Sequence, residues 1–149
     1  MQKISDSAAP NGQPITAEET YKRVSQGPAG SESISGSWQA ERLSGISENG
    51  ITVTYHSTPD GLRASNPNAE GYDAKFDGKE YPIKGNPAHD TVSLKRIHSN
   101  SILETDKEDG EVHYVLLIAV SPDGKSMKVT ETDRERGTRM TYIMEKKSQ

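Results

Sequence analysis

The segment that most constrains the fold is residues 72–85, which reads Tyr-Asp-Ala-Lys-Phe-Asp-Gly-Lys-Glu-Tyr-Pro-Ile-Lys-Gly. Tyr72, Ala74 and Phe76 alternate with charged residues, and side chains two positions apart lie on the same face of an extended strand. The Asp-Gly pair that follows provides the positive φ of a tight turn, and apolar side chains then resume the alternation. The segment therefore predicts a β-hairpin with one half-buried face.

The same alternation continues along most of the chain and predicts about ten strands between residues 36 and 146. Short turns join them, among them Asp109-Gly110 and the turn at residues 121–124. Parallel pairing would need crossovers of a dozen or more residues, so we expect an antiparallel up-and-down meander. A barrel of about eight to ten strands would remove both free edges of the meander. A two-sheet β-sandwich is the alternative, because its sequence would look much the same.

The N-terminal third is organised differently. Residues 1–14 are polar and without period, which predicts a flexible tail. Thr16 and Glu19 have the spacing of a capping box, so residues 15–27 are predicted to form one short helix that ends at a Gly-Pro pair. Residues 28–35 are predicted to be a linker, and residues 36–147 a single β-barrel domain.

The amino-acid composition excludes several classes of function. With 149 residues and 30% hydrophobic content the chain predicts one domain with a thin core. The net charge of −4 comes from interspersed charges of both signs, which argues against nucleic acid as a partner. No apolar segment approaches the roughly 20 residues of a membrane helix, so membrane insertion is not expected. The absence of cysteine excludes disulfides, thiolate metal sites and a cysteine nucleophile.

The candidate ligand-binding side chains are those that the alternation places on the inner face of the predicted barrel. Small-molecule sites combine an apolar lining with a few polar groups, and one arginine among aromatic residues fits that composition. Arg96 shares a strand face with Val92 and Leu94, so its guanidinium is a candidate for a ligand carboxylate. The alternative is that these side chains fill the interior completely. The inner set is Trp38, Tyr55, Tyr72, Phe76, Arg96, Tyr114 and Tyr142.

Neither catalytic nor metal-binding motifs stand out. The four histidines lack the i, i+2 or i, i+4 spacing that would place two imidazoles on one metal. Aspartates cluster beside glycines, which is turn chemistry, and no calcium loop or nucleophile elbow is present. We therefore predict no catalytic residue, no metal and no cofactor. The oligomeric state is left open by the sequence.

Gly36, Ser37 and Trp38 open the first predicted barrel strand after the predicted helix. This triplet resembles the Gly-x-Trp opening of lipocalins and their calycin relatives. The resemblance implies that Trp38 caps one end of a barrel, with Arg139 or Lys146 lying over its ring.

Further motifs between residues 35 and 147 look like those of a group of uncharacterised bacterial proteins, frequent in acidobacteria and thought to be lipocalin-like. These motifs include residues 72–85, 90–96, 121–128 and 142–146. The group usually carries an export signal, which implies a periplasmic or secreted protein. No apolar leader is present at the N-terminus of this chain, so a complete chain would be cytoplasmic.

Three functional hypotheses follow. The first is a non-enzymatic module that binds a small amphipathic or apolar ligand inside the barrel. The second is a structural or protein-interaction module with a filled barrel. The third, a hydrolase, would need a convergent histidine and carboxylate pair that the sequence does not display.

Overall fold

The computed structural model describes residues 2–6 and 14–147. Within these ranges the chain forms twelve β-strands and one 3-10 helix, and each strand pair is antiparallel. The contacts divide the chain into residues 1–52 and 53–149. None of the described residues forms a helix with the length and apolar character needed to cross a membrane.

The first unit contains one three-stranded sheet with the order β1-β2-β3. Its strands are β1 (Gln2–Asp6), β2 (Ile15–Gln26) and β3 (Gly36–Ser44). A 3-10 helix at Glu48–Gly50 follows the sheet.

The prediction of a helix over residues 15–27 is wrong, because these residues form β2 between two other strands. Tyr21 and Val24 offer too little apolar surface to stabilise a docked helix, whereas backbone pairing on both sides stabilises a strand. The Glu19 carboxylate accepts a hydrogen bond from the Tyr21 hydroxyl at 2.5 Å instead of capping a helix. Residues 2–6 of the predicted tail form β1; residues 1 and 7–13 lie outside the described residues.

The second unit contains a six-stranded sheet, β12-β11-β10-β9-β8-β7, and a three-stranded sheet, β4-β5-β6. The smaller sheet consists of β4 (Thr54–Ser57), β5 (Gly61–Ser65) and β6 (Gly71–Lys75). The larger consists of β7 (Asp77–Pro82), β8 (Thr91–His98), β9 (Ser101–Glu108), β10 (Glu111–Val120), β11 (Ser126–Asp133) and β12 (Thr138–Glu145).

The core of the second unit lies where β6 and β8 meet. Ala74, Val92 and Leu94 are fully buried there, and Leu62 and Phe76 are among the half-buried side chains that pack against them. The core is thin, as the composition predicts, and polar side chains occupy part of the interior.

The predicted hairpin over residues 72–85 is wrong in its pairing. Both strands form, but β6 belongs to the smaller sheet and β7 to the larger. A single bridge between Gly71 and Lys84 joins them. The chain turns at Phe76, whose backbone N–H donates to the Asp60 carbonyl at 2.9 Å, and a register shift in β7 includes Gly78 at a φ of 75°. The segment is therefore the corner at which the chain passes between sheets.

The prediction of a closed barrel is also wrong. The larger sheet ends at β12 and β7, and among the described strands no backbone ladder joins β4 to β12. The antiparallel meander is confirmed, and the open arrangement is compatible with the sandwich-like alternative. The predicted domain over residues 36–147 is divided as well, because β3 pairs with β2 and belongs to the first unit.

Candidate functional site

Tyr55 on β4 separates two pockets in the second unit. Strand pairing places Tyr55, Ala64 and Tyr72 side by side on one face of the smaller sheet. The Tyr55 side chain lines an acidic pocket on one side and an apolar cleft on the other.

The acidic pocket has a volume of about 160 Å³ and is lined by three carboxyl side chains. Glu104 and Asp106 lie two positions apart on β9 and therefore on the same face, while Glu70 comes from the β5–β6 connection. Tyr55 and Tyr72 provide the aromatic walls. None of the described residues that line this pocket is a lysine, arginine or histidine, so no cation within it balances the carboxyl groups.

Glu104 is the most deeply buried of these acids, with 7% of its surface exposed. Its neighbours across the strands are Leu94 and Leu116, and the Tyr72 hydroxyl donates a 2.5 Å hydrogen bond to its Oε2 atom. Burial raises the pKa of Glu104, and the hydrogen bond from Tyr72 only partly opposes that effect. Burial and the neighbouring acid raise the pKa of the Tyr72 hydroxyl as well.

Asp106 is a second acid whose charged form is disfavoured in this pocket. Burial, with the nearby charges of Glu104 and Glu131, raises the pKa of Asp106 to about 8. The Oδ1 atom of Asp106 is buried and has no hydrogen-bond partner among the described residues. A protonated carboxyl avoids burying an uncompensated charge, which is much more costly than burying a neutral group.

Glu131 extends the acidic group toward β12. It lies on the same row of the sheet as Glu104, separated from it by Leu116 on β10. The Tyr142 hydroxyl lies 3.5 Å from Oε2 of Glu131, and burial with this acid raises the pKa of Tyr142 to about 12. The hydroxyl therefore stays protonated and available as a donor.

The acid and tyrosine cluster can donate and accept hydrogen bonds, but it contains no imidazole to act as a base. His89 and His113 instead form an edge-to-face pair with ring centroids 5.7 Å apart, away from both pockets. Among the residues that the structure describes, no three His, Asp or Glu side chains are placed to hold a metal ion.

The apolar cleft on the other side of Tyr55 has a volume of about 260 Å³. It lies between the smaller sheet and strands β8 to β11 of the larger one. Its apolar walls are formed by Leu62, Phe76, Ile102, Ile118, Val120 and Met127.

Arg96 lies at the solvent-exposed end of this cleft. Its guanidinium is 4.3 Å from the centroid of the Phe76 ring, a cation–π contact that fixes its position. Its polar contact is a long, 3.5 Å hydrogen bond to the Ser99 carbonyl. None of the ion pairs among the described residues includes Arg96, so its charge faces the cleft without an acidic partner.

The structure brings only some of the predicted ligand-binding residues together. Tyr55 and Tyr72 share the acidic pocket, and Tyr55 and Arg96 share the apolar cleft. Tyr114 lines neither and packs edge-to-face on His89 at 5.1 Å. Tyr142 also lines neither pocket and contacts Glu131.

Trp38 belongs to the first unit, where Arg23 covers its ring at 4.0 Å. Arg23 also donates to the carbonyls of Ser33 and Ser35, and the indole N–H of Trp38 donates to the Ile34 carbonyl at 2.9 Å. The cation on this ring thus comes from the neighbouring strand. The predicted contacts of Trp38 with Arg139 or Lys146 stay predictions.

Glu104 and Glu131 are the site residues that the sequence reasoning missed, and it assigned Asp106 to turn chemistry. The available signal was the alternation itself, because Ile102, Glu104 and Asp106 share one face of a strand. An acid in an otherwise inward-facing row indicates a buried polar group.

Comparisons of the chain with protein-family models, with curated proteins and with solved structures find no match.

Proposed function

We propose that the second unit binds a small amphipathic anion, with its apolar part in the cleft beside Tyr55 and its anionic group at Arg96. The observation that carries this proposal is an arginine at the mouth of an apolar cleft that forms no ion pair with any described acid. A guanidinium recognises a carboxylate by two parallel hydrogen bonds, which gives the cleft one defined polar contact.

The cleft volume limits the ligand. At about 260 Å³ it lies just below the roughly 300–1,000 Å³ of pockets for drug-sized molecules. A medium-chain acid matches this volume better than a sterol or a long isoprenoid does. Because none of the described residues that line the cleft is a histidine or an acid, we propose binding and not hydrolysis.

Calorimetric titration with decanoate, 1-decanol and decyltrimethylammonium tests the proposal, because the three probes share a chain and differ in charge. Decanoate should bind most tightly, and Arg96→Ala should weaken decanoate by roughly 10- to 100-fold while leaving decanol unchanged. Arg134→Ala removes the same charge from an exposed hairpin and is the matched control. Equal affinity of Arg96→Ala and the wild type for decanoate would overturn the proposal.

A second variant tests the apolar part of the cleft. Val120 lines the cleft and is 39% exposed, so Val120→Glu should fold normally and place a carboxylate near the ligand chain. Decanoate binding should be lost in this variant. Undiminished binding would place the ligand elsewhere on the protein.

A further inference from the structure

The outer edge of β12 lacks the features that usually protect an edge strand. Its pairing with β11 is unbroken over eight residues, without a bulge. Residues 140–144 contain no charge and no proline, and Met140 and Ile143 are 55% and 61% exposed. Natural proteins usually interrupt or charge such an edge, because its free N–H and C=O groups can pair with another chain.

The other edges of the second unit are protected. The larger sheet ends on its opposite side at β7, which contains a register shift, Lys79, Glu80 and Pro82. The smaller sheet ends at β4, which has only four residues, and at β6, whose Gly71 is bridged to Lys84. The contrast singles out β12 as a pairing surface.

The hydrogen bonds of β12 determine which registers a partner strand can take. The Lys146 N–H donates to the Lys125 carbonyl at 2.8 Å, so Lys146 belongs to a hydrogen-bonded pair. Because the register with β11 is unbroken, every second residue of β12 before Lys146 also belongs to a hydrogen-bonded pair. Even-numbered residues of β12 therefore bond to β11, and odd-numbered residues point their N–H and C=O groups toward the outer edge, with which no other described strand pairs. Two antiparallel copies can bond only through odd-numbered residues.

Charge selects one register among those that remain. When Tyr142 faces Tyr142 of a second copy across a two-fold axis, Arg139 of each copy lies opposite Glu145 of the other. Both residues are odd-numbered and lie on the outer face of the sheet. Met140 then faces Met144 on the inner face. Shifting the second copy by two residues in either direction separates both charge pairs.

We propose that the protein forms a two-fold symmetric dimer through antiparallel pairing of its β12 strands, in the register that places Arg139 opposite Glu145. The pairing joins the two six-stranded sheets edge to edge and satisfies the free backbone groups of both copies. Opposite charges at both ends of the paired region fix the register.

Sedimentation analysis of the full chain, from low micromolar to near-millimolar concentration, should show a reversible monomer–dimer equilibrium. Arg139→Glu and Glu145→Arg, each alone, place like charges at both ends of the interface and should weaken the dimer roughly tenfold or more. Thr141→Pro should weaken it further, because the N–H that it removes points toward the second copy and not toward β11.

Mixing the two charge variants distinguishes this register from other interfaces. Arg139→Glu carries two acids and Glu145→Arg carries two arginines, so a mixture should form heterodimers more tightly than either variant forms homodimers alone. The double variant with both changes should dimerise like the wild type.

A wild type that stays monomeric throughout the concentration range would overturn the proposal. A dimer that neither charge variant nor Thr141→Pro weakens would place the interface elsewhere and overturn it too. Circular dichroism and thermal unfolding show whether each variant keeps the fold. The charge variants change exposed side chains at the strand ends, so they test the register even if the proline variant fails to fold.

Discussion

At the scale of the residue, the buried acids stabilise the fold in their protonated form, whereas most carboxyl groups stabilise a folded protein in their ionised form. Most aspartates stabilise a folded protein as anions, because partners in the folded state lower their pKa. Asp106 has its pKa raised to about 8 by burial and by two neighbouring acids. Its protonated form is therefore the one that the fold favours.

We predict that the free energy of unfolding falls as pH rises from about 4 to about 8. In this window the folded protein keeps the proton of Asp106, while the unfolded chain has lost it, so raising the pH favours the unfolded state. One such group contributes up to about 1.4 kcal/mol per pH unit. Denaturant unfolding of the wild type and of Asp106→Asn at several pH values measures the effect.

Asp106→Asn should flatten this decline, whereas Asp123→Asn should not. Asp123 lies in an exposed turn, where a hydrogen bond from Ser121 lowers its pKa. An unchanged pH dependence in Asp106→Asn would show that Asp106 is ionised in the folded protein at neutral pH.

Tyr72→Phe tests the hydrogen bond that satisfies Glu104. Loss of the hydroxyl leaves the buried carboxyl without its donor, which should cost about 1–3 kcal/mol in thermal or denaturant unfolding. Tyr114→Phe removes a hydroxyl that makes no hydrogen bond to the described residues, so its effect should be small. Equal effects of the two substitutions would contradict the assigned role of Tyr72.

Sequence reasoning worked for side chains with one plausible environment and failed for the others. Arg96 shares a strand face with Val92 and Leu94 as predicted and lines the cleft, and its role in ligand binding stays a prediction. Glu104 was missed because an acid on a strand is usually exposed, and its burial depends on Tyr72 from another sheet. The Arg23 contact with Trp38 was missed for a different reason, since a helix over residues 15–27 would not bring these residues together.

At the scale of the element, a backbone bridge closes the corner between β6 and β7. Gly71 of β6 and Lys84, two residues beyond β7, exchange two backbone hydrogen bonds, of 3.0 and 2.9 Å, and form the one isolated bridge among the described residues. Gly85 follows this bridge at a φ of 74°, and a Cβ atom there would lie 2.4 Å from the Ala69 carbonyl oxygen. No side chain fits that position without moving backbone.

We therefore predict that Gly85→Ala destabilises the protein by about 3 kcal/mol, the sum of backbone strain and steric overlap. Gly110→Ala is the matched control, because Gly110 has a φ of 82° and open space where its Cβ would be. The control should cost only about 1 kcal/mol of strain. Denaturant unfolding of both variants measures the difference, and equal losses would mean that the corner relaxes freely.

Turns were easier to predict than pairings. Asp109-Gly110 forms the predicted turn between β9 and β10, because positive φ at both residues is a local property of the pair. The Asp77-Gly78 pair has the same local signal but lies in a register shift of β7. The chain turns instead at Phe76, which packs against the core and donates its backbone N–H to the Asp60 carbonyl, and neither contact is local.

At the scale of the whole molecule, the antiparallel meander could be predicted from the sequence. Whether the meander closes into a barrel, and where the chain divides into two units, could not. Turn spacing indicates which strands are neighbours in the chain. Whether the first and last strands pair depends on the bend of the whole sheet, which a period-two pattern does not encode. The division between Thr52 and Val53 likewise depends on contacts and not on a change in composition.

The division predicts that residues 53–149 fold without the first 52 residues, because both sheets of the second unit and its core lie within them. The fragment should unfold cooperatively in denaturant and keep the pH dependence assigned to Asp106. A fragment that shows no cooperative transition would mean that the first unit is required for the second to fold.

The strictly sequential order of the six-stranded sheet also affects how fast the protein folds. Each strand from β7 to β12 pairs with its neighbour in the chain, and from β8 onward the connections are short, so the entropic cost of loop closure is divided into small steps. Hairpins of this kind form in about 1–10 μs, and proteins with local contacts fold faster than Greek-key sandwiches of similar size. The sheet can therefore grow one strand at a time as the chain leaves the ribosome, with β12 added last.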